Sequence, residues 1–215
     1  MKLSSASFQH NSAIPVEFSF CAPDAKTHCS LGANRNPQLA WSDVPVGAKS
    51  LVLICHDPDV PSKPDDVNQE GRTIPATLPR IDFFHWVLVD LDPTSDEIKA
   101  GAFSNDVTTR GKAGPHIPHL PDAPTRQGVN DYTLWFASDH DMSGDYYGYD
   151  GPCPPWNDSI VHHYVFTLYA LDVEKCAVNG KFTGGDVRAA IKGHVLAEAK
   201  ITGLYSLNPE VTAPA

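Results

Sequence analysis

Residues 50–61 read Ser-Leu-Val-Leu-Ile-Cys-His-Asp-Pro-Asp-Val-Pro, an apolar run of strand length that stops at an acidic, proline-studded end. A continuous aliphatic run suits a strand covered on both faces, whereas a half-buried strand alternates. Two more stretches carry the same signal. Phe83 to Leu91 (FFHWVLVDL) and Tyr164 to Leu171 (YVFTLYAL) are rich in aromatic and β-branched residues. Val16 to Phe20 (VEFSF) alternates with period two and predicts a further strand. The chain therefore reads as mainly β.

Helical signals are few. Thr183-Gly184-Gly185-Asp186 offers capping chemistry, and Val187, Ala190, Ile191 and Val195 follow at helical spacing. That predicts a helix ending near Leu196 to Ala199, before a last short strand around Ile201 to Tyr205. A weaker pattern predicts a single helical turn over Ser95 to Ala100. Residues 62–80, 112–126 and 138–150 read as long loops, a length usually tied to function or disorder in a compact domain. With no internal repeat and no dividing linker, residues 1–215 read as one domain.

Composition narrows the function. A formal net charge of −10 argues against a nucleic-acid or anionic-membrane surface, since both need basic patches. No run of about 18 apolar residues exists to span a membrane, and the N-terminus lacks the apolar core of a signal peptide, so a cytoplasmic location is expected. The five cysteines, at 21, 29, 55, 153 and 176, form no C-x-x-C pair. Their odd number predicts five reduced thiols. Cys55 reads as a small buried hydrophobe. Cys153 lies in the Gly-Pro turn with no base beside it in sequence.

Three punctuated places carry the chemistry. Asp57-Pro58-Asp59-Val60-Pro61 sets two carboxylates at a strand end, although Asp and Pro also terminate strands for structural reasons alone. His85 sits within an apolar strand, where a lone histidine is more often a satisfied core residue than a ligand. His162-His163-Tyr164 opens another strand; adjacent residues face opposite ways, so His162 rather than His163 shares a wall with Tyr164. Carboxylates beside histidines favour imidazolium, so Asp57 and Asp59 are expected to raise the histidine pKa values and let His85 and His162 hold an anion from one cavity. Affinity for that anion should then fall as pH rises through roughly 6 to 8.

Asp57-Pro58-Asp59-Val60-Pro61, His85-Trp86, Tyr149 to Pro155 (YDGPCPP) and His162-His163-Tyr164 occur in order, as they do in the phosphatidylethanolamine-binding protein family. The chain resembles the bacterial, Raf-kinase-inhibitor-like branch of that family. Asn36 to Trp41, Pro45 to Ser50, Gly128 to Asp131, Gly193 to Ala197 and Gly203 to Tyr205 extend the likeness to nearly the whole chain. The resemblance implies antiparallel β-sheets with Greek-key connections and a few peripheral helices. It also implies an anion pocket in which Asp57, Asp59 and Pro61 form an acidic loop, His85 and His162 flank the ligand, Gly151 supplies rim backbone, and Tyr164 follows. Where the family usually has His-Arg-Tyr, this chain has His162-His163-Tyr164. An arginine there would anchor the acidic loop bidentately, which histidine does not reproduce.

The expected function is capture of a small anionic ligand or phospholipid head group, with no cofactor, no metal and no catalytic residue. A protein–protein regulator, such as a kinase inhibitor, is the alternative, with a second copy of the chain as a further partner. Hydrolysis comes third, because the sequence shows no nucleophile elbow, phosphate loop or H-E-x-x-H helix.

Overall fold

In the computed structural model, which describes residues 1–120 and 122–214, the apolar run becomes part of β6 (Ser50–Pro61), the strand around which the rest is arranged. Before it come β1 (Lys2–Ser4), β2 (Ser12–Ala13), β3 (Cys21–Asp24), β4 (His28–Leu31) and β5 (Leu39–Ser42). After it come β7 (Arg80–Leu91), β8 (Glu97–Ile98), β9 (Arg126–Gln127) and α1 (Tyr132–Trp135), then β10 (His162–Leu171), α2 (Gly184–Ala190) and β11 (Val195–Tyr205). A six-stranded sheet runs β2-β11-β10-β6-β7-β9, antiparallel except for the short parallel β2–β11 pair. A three-stranded sheet, β1-β5-β8, and the β3–β4 hairpin complete the β structure.

Both faces of β6 are covered. Leu51, Leu53 and Cys55 point into one core, shared with Leu39 and Trp41 of β5, Ile98 of β8 and Phe166 of β10. Val52 and Ile54 point the other way, against Val187 of α2 and nearby Ile191. Burying such side chains stabilises by about 1.5–3 kcal/mol each. Thr183 caps α2 as predicted, its hydroxyl accepting from the Asp186 N–H while Asp186 accepts from the Thr183 N–H.

Four expectations are corrected. Val16 to Phe18 forms a 3-10 turn, not a strand: Phe18 N–H donates to Pro15 O, and the Ser19 N–H and hydroxyl both donate to Val16 O. The turn buries Phe18 and Phe20, so it satisfies the same alternating pattern. Residues 95–100 hold β8, because Ile98 pairs with Leu39 in the core, and tertiary pairing overrides weak local propensity. α2 ends by Ile191, followed by Gly193 at φ +86°, so β11 begins at Val195. Finally, Cys21 is disulfide-bonded to Cys153, leaving Cys29, Cys55 and Cys176 as thiols. The odd count allowed one bridge and three thiols as readily as five thiols, so it does not support a reducing compartment. Among the described residues no helix is long and apolar enough to cross a membrane.

Candidate functional site

β6, β7 and β10 lie side by side, which brings Asp57, His85, His162 and Tyr164 together. Alternation carries Asp57 to the same side of β6 as Cys55. His85 reaches that side by a different device. Cys55 pairs with Trp86 and His56 with Phe84, so His85 is an extra residue in the ladder, a β-bulge. Strict alternation would turn His85 away from Trp86's face. The bulge turns it inward, with its ring 5.0 Å from those of Tyr164 and Phe83.

The buried side chains of Asp57, His85 and Tyr164 contribute to the wall of a cavity of about 660 Å³. The remaining wall is mostly apolar. Phe83, Tyr132, Phe136, Val60 and Pro61 contribute, and the Cys21–Cys153 disulfide lies in it. Two of the three long loops build it: 62–80 supplies Ser62, Pro64, Val67 and Asn68, and 138–150 supplies Met142. Asn157 fixes the first loop, its side-chain amide donating to Asp66 O at 2.8 Å and Arg72 O at 3.1 Å while its oxygen accepts from the Asn68 N–H.

His85 is held from behind. Its Nδ1–H donates to Asp150 O at 2.7 Å, and the Asp150 N–H donates back to His85 O. Asp150 is itself immobilised by Asn34, Asn130 and Lys112 at 2.7–2.9 Å. With Nδ1 engaged, Nε2 has no protein partner among the described residues. Burial pushes the His85 pKa below its ordinary value, and the charge of Asp57 recovers only part of it. At this histidine, desolvation outweighs the carboxylates, reversing the sequence expectation. The Tyr164 hydroxyl is close enough to feel Asp57 but makes no hydrogen bond of acceptable geometry. Burial raises its pKa well above the usual phenol, so it stays a donor.

His162 lies elsewhere than expected. It shares a strand face with Tyr164 but is completely buried and does not line the cavity. Its Nδ1–H donates to Asp57 Oδ2 at 2.7 Å and its Nε2–H to Asp158 Oδ2 at 3.1 Å. Two acceptors require protons on both nitrogens, hence an imidazolium. Burial opposes that charge, but Asp57 and Asp158 outweigh it and raise the pKa to about 9. Arg80 forks onto Asp158 at 2.5 and 3.0 Å and also donates to Asp59 O. Burial works against ionisation of Asp158, yet the bonds from His162 and Arg80 hold its carboxyl below the ordinary range. No sequence motif marks Arg80 or Asp158 as belonging to this group.

Asp59 and Gly151 do not line the cavity either. Asp59 accepts from the backbone N–H and the Nδ1–H of His163, each at 2.8 Å. His163 therefore anchors the acidic segment at the position where the family usually has arginine, while Arg80 of β7 reaches that segment through a single bond to Asp59 O and spends its bidentate fork on Asp158. Gly151 spends its N–H on Asn34 and its C=O on the Tyr132 hydroxyl, and a Cβ there would sit 2.1 Å from Phe18 O. It shapes the site through Tyr132. The acidic segment is a strand end with a register shift between Asp57 and Val60, tied by the Asp59 N–H to Asp57 Oδ1.

Comparison with known proteins agrees with this architecture. The family model described as phosphatidylethanolamine-binding protein matches residues 4–206. A UPF0098 protein of Methanothermobacter thermautotrophicus is 38% identical over 174 residues, covering 81% of this chain and 84% of that protein. The UPF0098 protein YbhB of Escherichia coli is 31% identical, again over 81% and 84%. Among solved structures, E. coli YbcL superposes with a TM-score of 0.66 at 25% identity, covering 95% and 97% of the two chains. A Chlamydia trachomatis homologue gives 0.62 at 28% identity, covering 95% and 96%.

Proposed function

The chain belongs to the phosphatidylethanolamine-binding protein family, and on that premise we propose that it binds an amphipathic, phospholipid-like ligand without transforming it. The phosphate-bearing head group lies at His85 and Tyr164, and the apolar body lies along Phe83, Val60, Pro61 and Tyr132. One observation carries this reading: Tyr164 lies in the wall of a largely apolar cavity, its buried hydroxyl near Asp57 but without a well-formed hydrogen bond. A buried donor without an acceptor costs about 1–3 kcal/mol, which a ligand oxygen would recover.

The cavity is far larger than a bare phosphate needs, so the ligand has an apolar part. Asp57 at the inner end is no bar to an anionic head, because the His162 imidazolium offsets its charge from behind. Neutral His85, with its Nδ1–H committed to Asp150, presents only a lone pair at Nε2 and must gain a proton to donate to phosphate. The groups are braced for binding. Asp57 is held by two donors and the His85 ring is fixed through Nδ1 to Asp150 O, so both present rigid groups to a ligand.

Calorimetry with a short-chain phospholipid below its micelle concentration tests the proposal. Binding is expected for the native chain, weakened about tenfold in Tyr164→Phe by loss of one charge-assisted contact. No heat with the native chain, or equal affinity in the variant, would overturn it.

A further inference from the structure

Among the described residues nine large hydrophobic side chains are exposed, and four of them line this one cavity. Leu31 is 60% exposed, Ile81 52%, Leu134 76% and Trp135 49%. They come from three separate stretches, the end of β4, the start of β7 and α1, so their meeting is a product of the fold. Together they form an apolar collar continuous with the apolar wall inside. No lysine or arginine lines the cavity, but Asp82 and Asp131 do. Asp82 shares its charge with Arg188, while Asp131 accepts the Phe84 N–H and has no cationic partner among the described residues.

We infer that this collar seats on a membrane surface of zwitterionic lipid, such as phosphatidylcholine, with Leu31, Ile81, Leu134 and Trp135 entering the interfacial layer. Exposed apolar side chains ringed by polar ones mark contact sites, and a half-exposed tryptophan favours the membrane interface. The outermost charge of a zwitterionic lipid is its ammonium group, which complements Asp82 and Asp131. Anionic lipid is disfavoured by the same carboxylates and by the net charge of −10. A second copy seated collar to collar about a twofold would bring like carboxylates together, which opposes self-association.

The inference rests on the ligand reading, since the collar lets an acyl chain pass from bilayer to cavity without crossing water. The two fail separately. Sedimentation of the full chain with phosphatidylcholine vesicles is expected to carry protein down. Replacing roughly a third of the lipid with phosphatidylglycerol should weaken this at low salt, and added salt should restore it. Ile81→Ser with Leu134→Ser, both at exposed positions, should reduce partitioning at least about tenfold, while chemical denaturation of this variant matches that of the native chain. Trp135→Phe should remove the tryptophan fluorescence change that vesicles produce. The inference is overturned by absence of partitioning, by preference for anionic vesicles, by indifference to the double substitution, or by a dimer that the same substitutions abolish. If short-chain ligand does not bind but vesicles do, the cavity reading falls and the collar stands.

Discussion

His85 and His162 lie on the two strands that flank β6 and are both almost fully buried, at 3% and 0% exposure, yet their surroundings push them in opposite directions. Around His85 lie aromatic rings and one backbone carbonyl, and burial lowers its pKa. Around His162 lie two carboxylates, one braced by Arg80, and its pKa rises to about 9. Burial alone does not decide a histidine's charge. The number of hydrogen-bonded carboxylates does, and here it separates a neutral group facing the cavity from a charged strut behind it.

Removing the strut should have the largest effect. His162→Leu leaves Asp57 and Asp158 buried without their shared cation, and breaking such a site costs about 3–5 kcal/mol. Chemical denaturation should show a loss of that size, and a loss under about 1 kcal/mol would mean the two carboxylates take up protons or water at little cost.

The pH dependence comes next in size. His162 binds its proton more tightly folded than unfolded, so its contribution is complete below about pH 6.5 and disappears as pH rises toward about 9. Stability should fall across that window by an amount on the order of a few kcal/mol. His85 works in the opposite sense. Its folded pKa is lowered, so the unfolded chain takes up its proton first and stability falls as pH drops below the ordinary histidine range. Denaturation midpoints measured from pH 5 to 9 should therefore peak between the two windows, and the alkaline decline should vanish in His162→Leu.

The smallest effect belongs to the exposed neighbour. His163→Ala removes the Nδ1 contact to Asp59 but keeps the backbone one, on a half-exposed pair. It should cost less than about 1 kcal/mol and leave His85 untouched. A large loss would show that the Asp59 anchor depends on the imidazole more than on the main chain.

Much of this arrangement is legible in the sequence. The apolar runs at 51–55, 83–91 and 164–171 place the three central strands, and the punctuated motifs at their ends place Asp57, His85 and Tyr164 in the cavity wall. What escapes is what arises only when strands meet. The bulge that turns His85 inward is an extra residue in a pairing, and nothing in FFHWVLVDL marks it. Alternation correctly puts His162 on Tyr164's face but cannot say that Asp158 and Arg80 will close over it. The Cys21–Cys153 bridge joins positions 132 residues apart, beyond any local pattern. Asp82, Asp131 and the apolar collar come from segments whose proximity only the fold supplies.

The most direct measurement follows the two histidine rings by nitrogen NMR while a short-chain phospholipid is titrated in. The account predicts that without ligand His85 stays neutral near pH 7 and His162 stays charged. Ligand should then shift His85, raising its pKa as phosphate approaches Nε2, and leave His162 as it was. An unmoved His85, or a ligand-dependent change at His162 instead, would contradict it.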